Sequence, residues 1–369
     1  MWRWSLKSLL STPLTLIASI GASSGAFLLV IIFEAVVAGE SRQIVAYLNH
    51  AEADVWVMQS GVSNMHMASS YLADWKVSAV LDVPGVQAAE PILYLNTVTE
   101  TADRLWFSYV VGLEVPSVQA GPWSMAAGRE QPGPGEAVVP ATFAAMTGLE
   151  LGDRLRITNR GFTIVGLSDG TFSMANSIIF ITRTDLEDIM EALDIVSFIL
   201  VKVRPDADAV EVAALIERTV DDVSALPSAR FIENDRRTAM QMGVETIALM
   251  TLIGGALAAS VVAFAIYSLV VRQRREIAVT KALGATNRAL YASVAGQAML
   301  VTTAAVGLAV LLAMALMPPV ARMVPQLTLD LTGAAVARVA VAGVAVALLA
   351  ALLPARQMMR VDPLSAFKG

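Results

Sequence analysis

Four long apolar segments divide the chain into membrane-spanning and water-facing parts. They cover residues 13–38, 244–271, 290–317 and 333–353. About 20 predominantly apolar residues are enough to cross a bilayer as a helix. The pattern therefore predicts an α+β membrane protein with four transmembrane helices, and a large domain over residues 39–242 between the first and second of them.

Within residues 39–242, short β-branched and aromatic runs alternate with amphipathic stretches. Strands are expected at 54–58, 92–98, 105–113, 162–167, 177–182 and 197–203, and helices at 70–83, 184–193 and 207–223. Pro84–Gly85 closes the first of these helices. The order is β-α-β, then a β-rich insert at about 100–195, then β-α-β, which predicts a split α+β domain.

Basic residues fix the expected orientation in the membrane. The N-terminus, residues 1–12, has two bases and the loop at 272–289 has five, namely Arg272, Arg274, Arg275, Lys281 and Arg288. The tail at 354–369 has three more, whereas the outer loop at 318–332 has only Arg322. Short basic loops stay in the cytoplasm. Both termini should therefore be cytoplasmic, with the large domain outside the cell membrane.

The first apolar segment is expected to remain attached as an anchor. It is longer than the 7–15 apolar residues of a secretory signal, although Val36 and Ala38 offer a cleavage pair. The third segment is expected to end at Met317-Pro318-Pro319, and Pro354 should end the fourth.

Composition narrows the chemistry. Hydrophobic residues make up 56% of the chain and charged residues 16%, which excludes an ordinary soluble globule and suggests no nucleic-acid partner. There is no cysteine and no Gly-Lys dipeptide, so neither a disulfide nor a phosphate-binding P-loop is present. Met58 and the Met65-His66-Met67 run offer soft metal ligands, but core or loop residues are the expected interpretation. We predict no catalytic site, no metal site and no cofactor in this chain.

The loop at 272–289 contains a compact motif. Residues 276–283, EIAVTKAL, have helix-forming composition, Gly284 can end a helix in the left-handed region, and Thr286 or Asn287 can begin the next one. The run RQRREIAVTKALGAT resembles the cytoplasmic coupling segment of the FtsX-like/MacB-like (type VII) ABC transporter permease family. The closing LLPARQMMRVDPLSAFKG, with Pro354, Asp362 and Pro363, resembles the end of the same family.

This resemblance implies the permease subunit of an ABC export system. Two copies of a cytoplasmic ATPase, which would bind ATP-Mg, should push on the coupling segment, and the second span should carry the movement to the outer domain. The chain should pair with a second copy of itself in the bacterial inner membrane and contact membrane lipids, and a periplasmic adaptor is a further expected partner. The ATPase-coupling residues would be Arg275, Glu276, Ile277, Lys281, Ala282, Leu283, Gly284 and Ala285.

The expected cargo is hydrophobic or amphipathic: a lipid, lipoprotein, peptide, drug or haem. Candidate contacts at the outer ends of the first and second spans are Glu34, Met240, Met242 and Glu245. Glu34 could instead reach a partner helix or the water interface, of which the interface is the favoured interpretation, and Arg338 could reach the interface from the fourth span. An alternative function is that of cell-division relatives, which switch an extracellular cell-wall hydrolase without moving cargo and tend to have smaller outer domains.

Overall fold

The computed structural model describes residues 13–101, 104–173, 177–239 and 245–359. These divide into two compact units. One contains the described residues of Met1–Gly39, Thr246–Met323 and Leu329–Gly369, and the other contains those of Glu40–Glu245 together with Val324–Thr328. The predicted N-terminus at 1–12, the tail beyond residue 359, and Met240 and Met242 lie outside the described residues.

Eleven helices run through the described ranges. In chain order they are α1 (Pro13–Gln43), α2 (Ala46–His50), α3 (Trp75–Leu81), α4 (Ala141–Thr147), α5 (Arg183–Met190), α6 (Ala209–Thr219), α7 (Ser228–Ala239), α8 (Glu245–Arg272), α9 (Arg274–Ala282), α10 (Asn287–Met323) and α11 (Gly333–Met359).

The helical unit contains four helices that are long and apolar enough to cross a membrane. They are α1, α8, α10 and α11, and each has a mean hydropathy above 2 in its most apolar window. Their shared core is formed largely by small and β-branched side chains, including Ala305 and Ala309 of α10 and Ala347 and Ala351 of α11. Small residues let helix backbones approach closely in a bilayer. The predicted four-helix membrane part is confirmed.

Two predicted helix ends are wrong. Helix α10 continues through Pro318 and Pro319 to Met323, and α11 continues past Pro354 to Met359. A proline removes one N–H donor and bends the helix, but it leaves its own carbonyl able to accept. Membrane helices tolerate this loss because neighbouring groups satisfy the freed carbonyls.

Within its described residues, the α+β unit has one ten-stranded sheet and one two-stranded sheet. Its strands are β1 (Val55–Gln59), β2 (Leu72–Ala73), β3 (Val86–Glu100), β4 (Leu105–Leu113), β5 (Met125–Gly128), β6 (Glu136–Pro140), β7 (Arg154–Ile157), β8 (Arg160–Ser168), β9 (Ile178–Thr182), β10 (Ile195–Val196), β11 (Phe198–Val203) and β12 (Val223–Pro227). The predicted helix at 70–83 is wrong at its start: Leu72 and Ala73 pair with β10, so the helix begins only at Trp75. Pairing with a distant strand outweighs the local helical pattern here.

The sheet has two parts that share β3. In the first, strands in the order β12-β1-β11-β3 pair antiparallel, and helices α3 and α6 contribute to the hydrophobic core that these strands bury. In the second, β3-β4-β9-β6-β8 continue the sheet and β7 pairs with both β8 and β3, so the pairing closes into a ring of six strands. The predicted β-α-β order, interrupted by a β-rich section, is confirmed.

Candidate functional site

The coupling segment is a short helix held between two membrane-spanning helices. Helix α8 ends at Arg272, Gln273 follows as a buried linking residue, and α9 begins at Arg274. The Gln273 N–H donates to the Val270 carbonyl at 3.1 Å, which closes the last turn of α8. The expected helix at 276–283 is thus present, but it begins two residues earlier, at Arg274, and ends at Ala282.

Gly284 ends α9 as the motif predicts. Its φ is +95°, a value that glycine adopts without steric cost. The Ala285 N–H donates to the Thr280 carbonyl at 3.2 Å and the Gly284 N–H to the Lys281 carbonyl at 3.0 Å, the pair of bonds that defines a Schellman motif. The Thr286 hydroxyl then accepts from the Ala289 N–H at 3.4 Å and caps α10. The chain therefore turns sharply between α9 and α10.

Helix α9 has one buried and one exposed face. Ala278 is 4% exposed, and α9 contacts α11. On the other face, Val279 is 39% exposed and Leu283, four residues on, is 84% exposed. Residues four apart lie on the same side of a helix, so the turn at Gly284 leaves an apolar Val279–Leu283 face towards solvent. Sequence reasoning missed Val279, although its spacing from Leu283 was a usable signal.

The other predicted coupling residues lie in or directly after the same helix. Glu276 and Ala282 are exposed, Lys281 and Ala285 are half-buried, and Arg275 and Ile277 contribute backbone to α9. The side chains of Arg275 and Ile277 lie outside the described residues. The structure therefore brings the motif together on one short helix and its closing turn.

Glu34 forms an ion pair across the helical unit. Its Oε2 lies 2.5 Å from Nη2 of Arg338, which joins α1 to α11. Of the two expected environments of Glu34, the water interface and a partner helix, the structure shows contact with a partner helix, and the residue contacted there is Arg338. Glu245, another candidate cargo contact, begins α8, and its side chain lies outside the described residues.

Helix α1 also contacts the connection between α10 and α11. Within the helical unit, the Asp330 N–H donates to the Ala35 carbonyl at 3.0 Å. Within the α+β unit, the Thr328 N–H donates to Oε1 of the buried Glu40 at 3.0 Å. The unbroken α1 therefore bonds to this connection at two points nearly a turn and a half apart.

His66 belongs to the core of the α+β unit. Its Nδ1 lies 2.5 Å from Oδ2 of the fully buried Asp235 on α7, whose Oδ1 accepts the N–H groups of Met65 and His66 at 2.7 and 3.0 Å. The ring of Tyr109 packs edge-on at 5.1 Å, and burial raises the pKa of Tyr109 to about 12. Among the described residues, no group of three or more His, Cys, Asp or Glu side chains is placed to hold a metal ion. Met58 and Met65 are core residues, and Met67 is exposed.

Two family models match the chain. The MacB-like periplasmic core domain matches residues 15–219, and the FtsX-like permease C-terminal domain matches residues 248–363. Uncharacterized ABC transporter permeases of Mycobacterium tuberculosis and Mycobacterium bovis are 23% and 25% identical over 317 and 319 residues, in each case 86% of this chain and 84% of the relative.

Solved structures similar to the chain include two domains of this kind. The periplasmic region of MacB from Actinobacillus actinomycetemcomitans has a TM-score of 0.38 and 10% identity, covering 52% of this chain and 96% of that one. The extracellular domain of the noncanonic ABC-type transporter YknZ from Gram-positive bacteria has a TM-score of 0.37 and 10% identity, covering 47% and 98%. On the strength of the two family models, the chain belongs to the MacB-like and FtsX-like family of ABC transporter permeases.

Proposed function

We propose that this permease is the membrane subunit of an ABC export system, driven by two copies of a separate cytoplasmic ATPase. The observation that carries the proposal is the exposed Val279–Leu283 face of α9. Leu283 is 84% exposed although it lies between two membrane-spanning helices. A short, tightly capped helix with an exposed apolar face is suited to lie in a hydrophobic groove on a partner.

Orientation follows from charge. Helix α9 and its flanks carry Arg272, Arg274, Arg275, Lys281 and Arg288, so this segment faces the cytoplasm, where the ATPase and its ATP are found. The α+β domain then lies outside, and both termini are cytoplasmic in the bacterial inner membrane.

Movement would pass along helices. Closure of the ATPases pushes α9, which joins α8 through the single residue Gln273, so the push is delivered directly to the second span. Helix α1 is unbroken over 31 residues, about 46 Å, and supplies a second stiff element. Four spans are few for a transport pathway, and we therefore propose a homodimer.

The proposed cargo is hydrophobic or amphipathic and is taken from the outer leaflet or the space outside the membrane. Glu34, Met240, Met242 and Glu245 are proposed contacts at the outer ends of the first and second spans. An adaptor outside the membrane is a further proposed partner. The size of the α+β unit, with its closed ring of six strands, favours export over the regulatory alternative.

Copurification separates the two functions. The permease, extracted in mild detergent, should retain an ATPase together with an adaptor or cargo, identified by mass spectrometry. Retention of an ATPase together with a cell-wall hydrolase would support the regulatory function and refute export.

A further inference from the structure

In the described part of the helical unit, α1, α8 and α11 line a half-open cavity of about 180 Å³. Small side chains make room for it, among them Ala258 and Ala259 of α8 and Gly343 of α11. Apart from Glu34 and Arg338, its lining residues are apolar. An apolar cavity of about 150 Å³ can hold a benzene molecule. The space therefore suits several carbons of a hydrocarbon chain.

The two charged residues lie at one end of this cavity. Along α1 the lining runs from Glu34 to Phe27, and along α11 it runs from Arg338 to Val346, a distance of about 12 Å at the rise of a helix. Phe27 lies near the far end, because a Cβ on Gly343 would meet its ring at 2.7 Å. The cavity is thus polar at the outer end and apolar beyond it, like the two parts of an amphiphile.

The ion pair leaves hydrogen-bonding capacity on both partners. The hydrogen bond joins one nitrogen of Arg338 to one oxygen of Glu34, while a guanidinium has five N–H donors and a carboxylate has two oxygens. The side chain of Arg338 is 64% exposed and that of Glu34 is 21% exposed. A ligand headgroup can therefore reach both groups without breaking the pair.

The pair carries no net charge, and this selects the headgroup. A purely anionic headgroup would be repelled by Glu34, and a purely cationic one by Arg338. A headgroup with one phosphate and one primary ammonium matches both charges. We propose that the cavity binds one acyl chain of a zwitterionic bilayer phospholipid, whose phosphate accepts from Arg338 and whose ammonium donates to Glu34. The proposal rests on the proposed function in placing these helices in a bilayer.

The headgroup should dominate selectivity. Lipid chains are as apolar as leucine, so a chain gains little by leaving the bilayer for the cavity. Charge-assisted hydrogen bonds are the stronger kind, and each needs an N–H or an acceptor oxygen. Phosphatidylethanolamine offers both, whereas phosphatidylcholine has no N–H donor and phosphatidylglycerol has no cation.

The test is native mass spectrometry of the purified full-length permease exchanged into dioleoyl phosphatidylethanolamine, phosphatidylcholine or phosphatidylglycerol. We expect phosphatidylethanolamine to be retained about ten-fold better than either of the others. Equal retention of the three lipids, or a preference for phosphatidylglycerol, would overturn the proposal on the unmodified protein alone.

Variants locate the site. Arg338→Gln and Glu34→Gln should each remove the headgroup preference, and Ala259→Leu should fill the cavity and remove the bound lipid. Ala256→Leu is the matched control, because Ala256 is exposed on the same helix and does not line the cavity. Lipid retention by Ala259→Leu equal to that of the control would contradict the proposal. Copurification of the ATPase is followed in parallel: its absence refutes the proposed function, and its presence without lipid selectivity refutes only this site.

Discussion

Leu283→Asp should detach the ATPase without unfolding the permease. The side chain is 84% exposed in the free chain, so its replacement removes almost no internal packing. Surface changes of this kind alter the free energy of unfolding by about 0.5 kcal/mol or less. In the complex, however, a leucine that becomes fully buried contributes about 1.5–3 kcal/mol.

That contribution sets the expected size of the effect. Loss of about 1.5–3 kcal/mol weakens binding roughly 10-fold to 150-fold. An aspartate at the same place adds the cost of burying a charge, so Leu283→Asp should bind the ATPase more weakly than Leu283→Ala does. The assay is the Kd of the purified permease for its copurifying ATPase, measured beside the thermal unfolding midpoint of each variant.

A matched control is available on the other unit. Leu193 is 72% exposed and belongs to the α+β unit, which we place on the opposite side of the membrane. Leu193→Asp should therefore leave the Kd for the ATPase unchanged. If Leu283→Asp binds the ATPase as tightly as Leu193→Asp does, α9 is a passive connector and the coupling argument fails.

Three further predictions concern the turn, the orientation and the core. Gly284→Val should slow export more than it weakens ATPase binding. No heavy atom lies within 4 Å of the added Cβ, so the free-energy cost of the substitution comes from placing a valine at a φ of +95°. Equal losses of transport rate and of affinity for the ATPase would contradict this. Since the chain has no cysteine, Asp206→Cys should react with a membrane-impermeant thiol reagent in intact cells and Lys281→Cys should not, and the reverse labelling would overturn the orientation. The pKa of Tyr109 is raised to about 12, so its contribution to the free energy of unfolding is fully present below pH 10 and is lost as the pH rises to 12. Tyr109→Phe should therefore lose about 3 kcal/mol less unfolding free energy than the wild type between pH 10 and pH 12. The same pH dependence of unfolding free energy in variant and wild type would refute the raised pKa.

The membrane part was predictable because the apolar segments are long and uninterrupted. Gly284 was predictable for a local reason, since a glycine directly after a helical motif commonly adopts the left-handed region. The continuation of α10 through Pro318 and of α11 through Pro354 was not predictable, because the rule that proline ends a helix is weaker where neighbouring helices surround it.

Long-range contacts explain the remaining differences. The strand at Leu72–Ala73 depends on pairing with Ile195–Val196, more than 100 residues away. The partnership of Glu34 with Arg338 depends on how α1 packs against α11, which hydropathy alone does not specify. The coupling motif is local in sequence, but the exposure of Val279 and Leu283 depends on which side of α9 packs inward, and that side includes Ala278.

In-cell photo-cross-linking from position 283 tests the central claim most directly. A photoactivatable amino acid replaces Leu283 in the full-length permease, and the same substitution at Leu193 is the control. We predict a covalent adduct between position 283 and a cytoplasmic ATPase, and no such adduct from position 193. An ATPase adduct from position 193, or none from position 283 in a permease that still exports its cargo, would contradict it.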